Sequence, residues 1–142
     1  MMKQTLRHRL KIGLVAFIAA PSLASAAMSQ ELRCLVAEKV GTPEGTFSSY
    51  PPEDIKKDSY AVIIRDKGNS GSEISRCSYS SSVKRVTCDF YAVDHIERDA
   101  NIGNVKYYHF KGQFDVQVFS SMKFLENNGR GGLSSGACEK IN

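Results

Sequence analysis

The residues with most chemical capacity are four carboxylates, Asp89, Asp94, Glu97 and Asp99, spread over eleven residues with His95 among them. A pair of carboxylates can act as general acid and general base on a glycosidic bond. Several oxygen ligands at short spacing can also hold calcium. The spacing does not match a calcium loop: Gly103 falls where a ligand is needed, and Phe110 stands where the closing glutamate belongs. Neither His95 nor His109 sits in a metalloprotease H-E-x-x-H pattern, and no G-x-S-x-G elbow is present. The glycine-rich string ENNGRGGLSSG (126–136) lacks the Gly-Lys-Ser/Thr ending and the following helix of a phosphate loop. It reads as a turn tipped by Arg130, then a strand passing close to neighbouring backbone. The side chains left as a candidate binding patch are Asp94, His95, Glu97, Asp99, Tyr107, Tyr108 and Arg130. No catalytic residue, metal ligand or cofactor site is assigned.

Cysteine chemistry depends on compartment. Cys34, Cys77, Cys88 and Cys138 are the chain's four cysteines, and no two stand at the close spacing of zinc ligands. Four cysteines in an exported domain imply two disulfides, with three possible pairings. The favoured pairing is Cys77–Cys88, which closes the Ser-rich segment CSYSSSVKRVTC, and Cys34–Cys138, which ties the first strand of the domain to its last.

Export is read from the start of the chain. Residues 1–11 carry Lys3, Arg7, Arg9 and Lys11 and no acid. The apolar run IGLVAFIAA follows, then Pro21, and Ala24 and Ala26 occupy the small-residue positions of a cleavage site. This is the three-part pattern of a secretory signal, and its apolar run is too short to span a bilayer. Residues 1–26 are therefore expected to be a cleavable leader, and 27–142 a single domain. The whole chain has a net charge of +4, but the leader holds four bases and none of the 15 acids, so the remainder is neutral. A neutral domain lacks the basic excess that nucleic acid binding needs. No second segment is long and apolar enough for a transmembrane helix. No N-x-[ST] sequon occurs, which fits a bacterial periplasmic or secreted protein.

The elements that must position these groups read as strands. Segments 33–40, 59–66, 73–79, 83–93, 105–110, 113–119 and 122–126 are apolar, β-branched or alternating. In 83–93 the alternation predicts Val86, Cys88, Phe90 and Ala92 on the buried face. In 113–119 it points Phe114, Val116 and Val118 inward, and Phe124 also reads as core. One of Tyr107 and Tyr108 must face outward. PPEDIKKD (51–58) suits one helical turn, with proline and acids at its start. Segment 94–104 is a strand end plus loop, or a short helix at 94–99. Asn128-Gly129 suits a tight type I′ hairpin. The expected fold is all-β: a small antiparallel β-barrel or sandwich of about seven to nine short strands with two disulfides.

The stretches RCSYSSSVKRVTCDFYAVDHIERD, KYYHFKGQFDVQVF and FLENNGRGG…GAC resemble a family of small exported proteins of alphaproteobacteria. That resemblance implies a compartment and a lineage, and carries no activity. A looser, architectural likeness is to periplasmic lysozyme inhibitors, which are signal-bearing, disulfide-tied β-barrels of this size. YHFKG (108–112) matches part of their Y-x-x-x-T-K-G element, without the threonine, and their S-G-x-x-Y element has no counterpart. The function expected is a non-enzymatic periplasmic or secreted domain that binds a macromolecular partner, a protein or another envelope component. The alternatives are a lysozyme-inhibitor-like protein, a small hydrolase using the carboxylates of 89–99, and a surface or structural protein.

Overall fold

The computed structural model describes residues 29–42 and 45–141, so the leader read in residues 1–26 lies outside the described residues. Ten strands and one short helix follow in chain order: β1 (Gln30–Gly41), β2 (Ser48–Ser49), α1 (Pro52–Asp58), β3 (Ala61–Asp66), β4 (Glu73–Ser80), β5 (Arg85–Ala92), β6 (His95–Asp99), β7 (Asn104–His109), β8 (Phe114–Val118), β9 (Lys123–Asn127) and β10 (Leu133–Ile141). All pairings are antiparallel. Nine strands form a curled half-barrel in the order β5-β4-β3-β1-β10-β9-β8-β7-β6, and β2 adds to β1 off this path. The all-β fold read from the sequence is the fold observed.

The two ends of this order, β5 and β6, are joined by Val93 and Asp94 alone. One short stretch of chain therefore supplies both edges of the sheet. Backbone bonds at the joint hold it to both sides: Val93 N–H donates to Ser72 O and Asp94 N–H to Tyr108 O.

The concave face carries the core: Leu32, Cys34, Val62, Ile64, Ile74, Tyr107, Phe114, Val116, Val118 and Phe124 are all buried. Phe114, Val116, Val118 and Phe124 point inward as alternation predicts. Both expected disulfides form, Cys34–Cys138 and Cys77–Cys88, and each joins residues directly opposite in register. Cys34–Cys138 lies within the core, where it ties β1 to β10. Cys77–Cys88 staples β4 to β5.

The helical turn is also present. Proline at its first position, Glu53 and Asp54 in its first turn and Lys56 and Lys57 in its last suit the helix dipole, and Ser59 ends it in a left-handed conformation. Its Ile55 is buried, with β1 and β4 as the strands it packs against.

Of the two readings of segment 94–104, strand plus loop is the one observed: His95 to Asp99 form β6, each paired with β7, and residues 100–103 turn to β7. Two expectations are corrected. The turn at Asn128-Gly129 is not a two-residue hairpin. It spans residues 128–132, because Asn128 Oδ1 accepts the N–H groups of both Arg130 and Gly132 and holds a wider loop.

The second correction concerns β5. Register with β4 sets Ile74 opposite Tyr91 and Arg76 opposite Asp89, so Tyr91, Asp89, Thr87 and Arg85 take the concave face. Val86, Cys88, Phe90 and Ala92 face outward, and Phe90 is 65% exposed. Alternation gave the period correctly and the face wrongly. At a sheet edge neither face is fully covered, so apolar residues do not mark the inner one.

Gly136 shows why the Gly-rich end is a strand. A Cβ there would collide with the Leu35 carbonyl, next to the irregularity between Val36 and Glu38 where β1 shifts register against β10.

Candidate functional site

Strand parity divides the candidate patch. On β6 and β7 the register sets His95 opposite Tyr108, Ile96 opposite Tyr107 and Glu97 opposite Lys106. Ile96 and Tyr107 belong to the core side, so His95, Glu97, Asp99, Lys106 and Tyr108 face outward. Asp94 sits against His109, with its Oδ2 accepting the N–H of Phe110 at 2.7 Å and lying 3.6 Å from His109 Nδ1. Asp99 is occupied locally, its Oδ1 accepting the N–H of Asn101. Arg130 lies apart, on the loop between β9 and β10. The structure thus brings His95, Glu97 and Tyr108 together with Asp94 beside them, bonded to the backbone of Tyr108 and Phe110, and leaves Tyr107, Asp99 and Arg130 elsewhere.

The outward group is a platform of rings. His95, Tyr108 and Phe110 lie with centroids 5.7–6.4 Å apart, and the His95 and Phe110 planes are 17° from parallel. Phe110 is 61% exposed. Polar groups fix the Tyr108 ring. Its hydroxyl donates to Glu97 Oε2 at 2.7 Å, and Lys106 Nζ stands 4.9 Å from the ring centroid while pairing with Asp115 at 3.2 Å. The Glu97 hydrogen bond holds the Tyr108 phenol above its ordinary pKa, since ionising it would set two anions together. Burial alone would lower the Lys106 pKa, but the bond to Asp115 outweighs it and raises it. Phe110 was not read as part of the patch, although it ends the aromatic string YYHF.

Two interior polar clusters were also missed. Asp66 ends β3 on the concave side and is buried. Its carboxylate accepts Arg98 Nη2 at 2.8 and 2.9 Å, the Tyr107 hydroxyl at 2.8 Å and the Gly68 N–H at 2.9 Å. Burial opposes its ionisation, yet Arg98, Gly68 and Tyr107 together hold its pKa below the ordinary value. The Tyr107 phenol is pushed far up, first by burial and then by Asp66.

The second cluster lines a cavity of about 200 Å³ with Lys39, Tyr60, Arg76, Asp89, Glu126 and Ser134. Glu126 is buried and ion-paired with Arg76 Nε. Lys39 Nζ stands 3.5 Å from the Tyr60 ring centroid, and burial lowers its pKa. A separate open groove of about 780 Å³ runs over the outer side of β9 and β10, with Ile102, Phe119, Leu125 and Ala137 as its apolar lining.

The carboxylates of 89–99 do not converge on one cleft. Asp89 lies exposed on β5 at the rim of the cavity, Glu97 on the outer platform, Asp94 at the β5–β6 joint and Asp99 at the end of β6. Among the described residues no three of His, Cys, Asp and Glu meet as a metal site would need, and no helix is long and apolar enough to cross a membrane. Comparison with protein-family models, with curated proteins and with solved structures finds no match to this chain.

Proposed function

We propose that this is an exported, non-enzymatic β-domain that binds a protein partner in the cell envelope through the His95–Tyr108–Phe110 platform. The platform carries the reading. Three rings stand on the outer face at ring-stacking distance, one largely in solvent, with Tyr108 held by Glu97. Rigid aromatic side chains with one polar handle give contact area at low entropic cost, which is what binding surfaces use. Export is supported by the leader pattern of residues 1–26 and by two disulfides, the bonds expected of an oxidising compartment.

The test is retention of envelope proteins on the immobilised, oxidised protein, compared with a Tyr108→Ser/Phe110→Ser variant and a Phe47→Ser control. Phe47 is as exposed as Phe110 and lies far along the chain from the platform. A partner kept by wild type and control but lost by the double variant is the expected result. Equal retention by all three overturns the reading.

A further inference from the structure

β5 is an edge strand of a kind that folded proteins normally guard. Natural edges are kept short, bulged, proline-bearing, charged or covered, because an open row of backbone N–H and C=O groups recruits another strand; of these guards β5 has only its charges, Arg85 and Asp89. β5 has eight residues, no proline, and eight consecutive pairs with β4 without a register shift. All its residues except Cys88 and Tyr91 are exposed, including Thr87 and Asp89 on the concave side. Among the described residues no strand pairs with its outer edge, and His109 Nδ1, 2.9 Å from Ala92 O, meets the backbone only at the strand's last residue. The Cys77–Cys88 disulfide pins it to β4, so it is a fixed edge. Val86 and Phe90, at 49% and 65% exposure, add unburied apolar surface on the outer face.

The charges on this strand select a partner. Arg85 and Asp89 lie on one face, four residues apart, and neither makes an ion pair among the described residues. An antiparallel copy of the same strand, related by a two-fold axis at Thr87, sets Arg85 opposite Asp89 twice and Thr87 opposite Thr87. Opposite charges and paired threonines are favourable cross-strand neighbours. A two-fold axis one residue on, at Cys88, instead sets Arg85 against Tyr91 and Asp89 against Thr87, and leaves both charges unmatched.

We infer that β5 is a self-recognition edge: two copies of this chain pair antiparallel through Arg85–Asp89 and join their sheets across a two-fold axis at Thr87. The contact is isologous, so it closes at a dimer. One short edge buries well under the roughly 1,600 Å² of a standard interface, so the dimer is weak, with dissociation in the micromolar to sub-millimolar range. This inference does not rest on the platform reading, which concerns the other end of the strand order.

The experiment is sedimentation of the oxidised protein up to about 1 mM, on wild type, Arg85→Asp, Asp89→Arg and the double reversal. Each single reversal sets like charges together twice and should weaken dimerisation at least tenfold. The double reversal restores both pairs and should return it to within a few-fold of wild type. Monomer at every concentration overturns the inference, and so does a dimer indifferent to the single reversals. Circular dichroism and intact disulfides check the fold of each variant. Should a variant fail to fold, amide exchange on wild type decides: protection confined to 85–89 must rise with concentration, and unchanged protection overturns the proposal.

Discussion

Replacing Asp66 by asparagine tests whether the buried polar groups hold the half-barrel together. The Asp66 carboxylate accepts hydrogen bonds from Arg98, Tyr107 and the Gly68 N–H, and donates none. Asn keeps the shape, removes the charge and turns an NH₂ group toward one of those donors. Removing one partner of a buried pair costs about 3–5 kcal/mol. The Arg98 side chain is 44% exposed against 12% for Asp66, so water takes up part of the loss, which brings the expected cost to about 2–3 kcal/mol. A domain of this size loses about 3–5 °C in Tm per kcal/mol, hence about 6–15 °C here. The assay is urea unfolding of oxidised wild type and variant at neutral pH and at pH 3. The Asp66 carboxyl is held below its ordinary value, so its contribution is whole above the unfolded pKa, near 4, and declines as pH falls through the lower folded value. The gap between the two proteins should therefore narrow at pH 3. A neutral-pH gap below about 0.5 kcal/mol, or one that is unchanged at pH 3, refutes the assignment of stability to this carboxylate.

Three further outcomes follow from the same geometry. Tyr107→Phe removes one donor to the Asp66 anion and should cost about 1.5–3 kcal/mol alone, but much less in an Asp66→Asn background, as a double-mutant cycle in urea will show. Replacing Cys34 and Cys138 by serine opens a loop of 104 residues and should cost about 4–5 kcal/mol, against about 3 for Cys77 and Cys88 with their separation of 11, and thermal unfolding orders the two. Gly136→Ala drives a methyl into the Leu35 carbonyl and should lower stability by about 1–3 kcal/mol, a loss that thermal scans detect.

The strands, the helical turn and the Cys77–Cys88 disulfide were legible because each is a local signal, and that pairing leaves Cys34 and Cys138 for each other. Alternation in QFDVQVF marks β8, a proline followed by acids marks α1, and the Ser-rich turn brings Cys77 opposite Cys88. What failed was any statement that needed a neighbour's identity. Which face of β5 turns inward depends on its register with β4 and on its place at the edge, and period two is silent on both. The Asn128 loop failed because one side-chain oxygen captured two backbone donors and displaced the shorter turn.

For the site, the missed residues carried a signal that hydropathy hides. Asp66 follows Val62 and Ile64 at two-residue spacing, Arg76 follows Ile74, Arg98 follows Ile96, and Glu126 follows Phe124. Each charged residue continues an inward row, so parity alone places it at the end of the core. Two of these rows meet in space as Asp66–Arg98 and two as Arg76–Glu126. Opposite charges at the ends of rows that face each other satisfy one another, and they use up the interior polar groups for structure. By the same parity His95, Tyr108 and Glu97 fall on rows with no core residue, and Arg85 and Asp89 lie on an edge without a counter-ion among the described residues. Residues 85–110 therefore carry polar groups still free to meet another molecule, along the stretch that runs up one rim of the half-barrel and returns along the other.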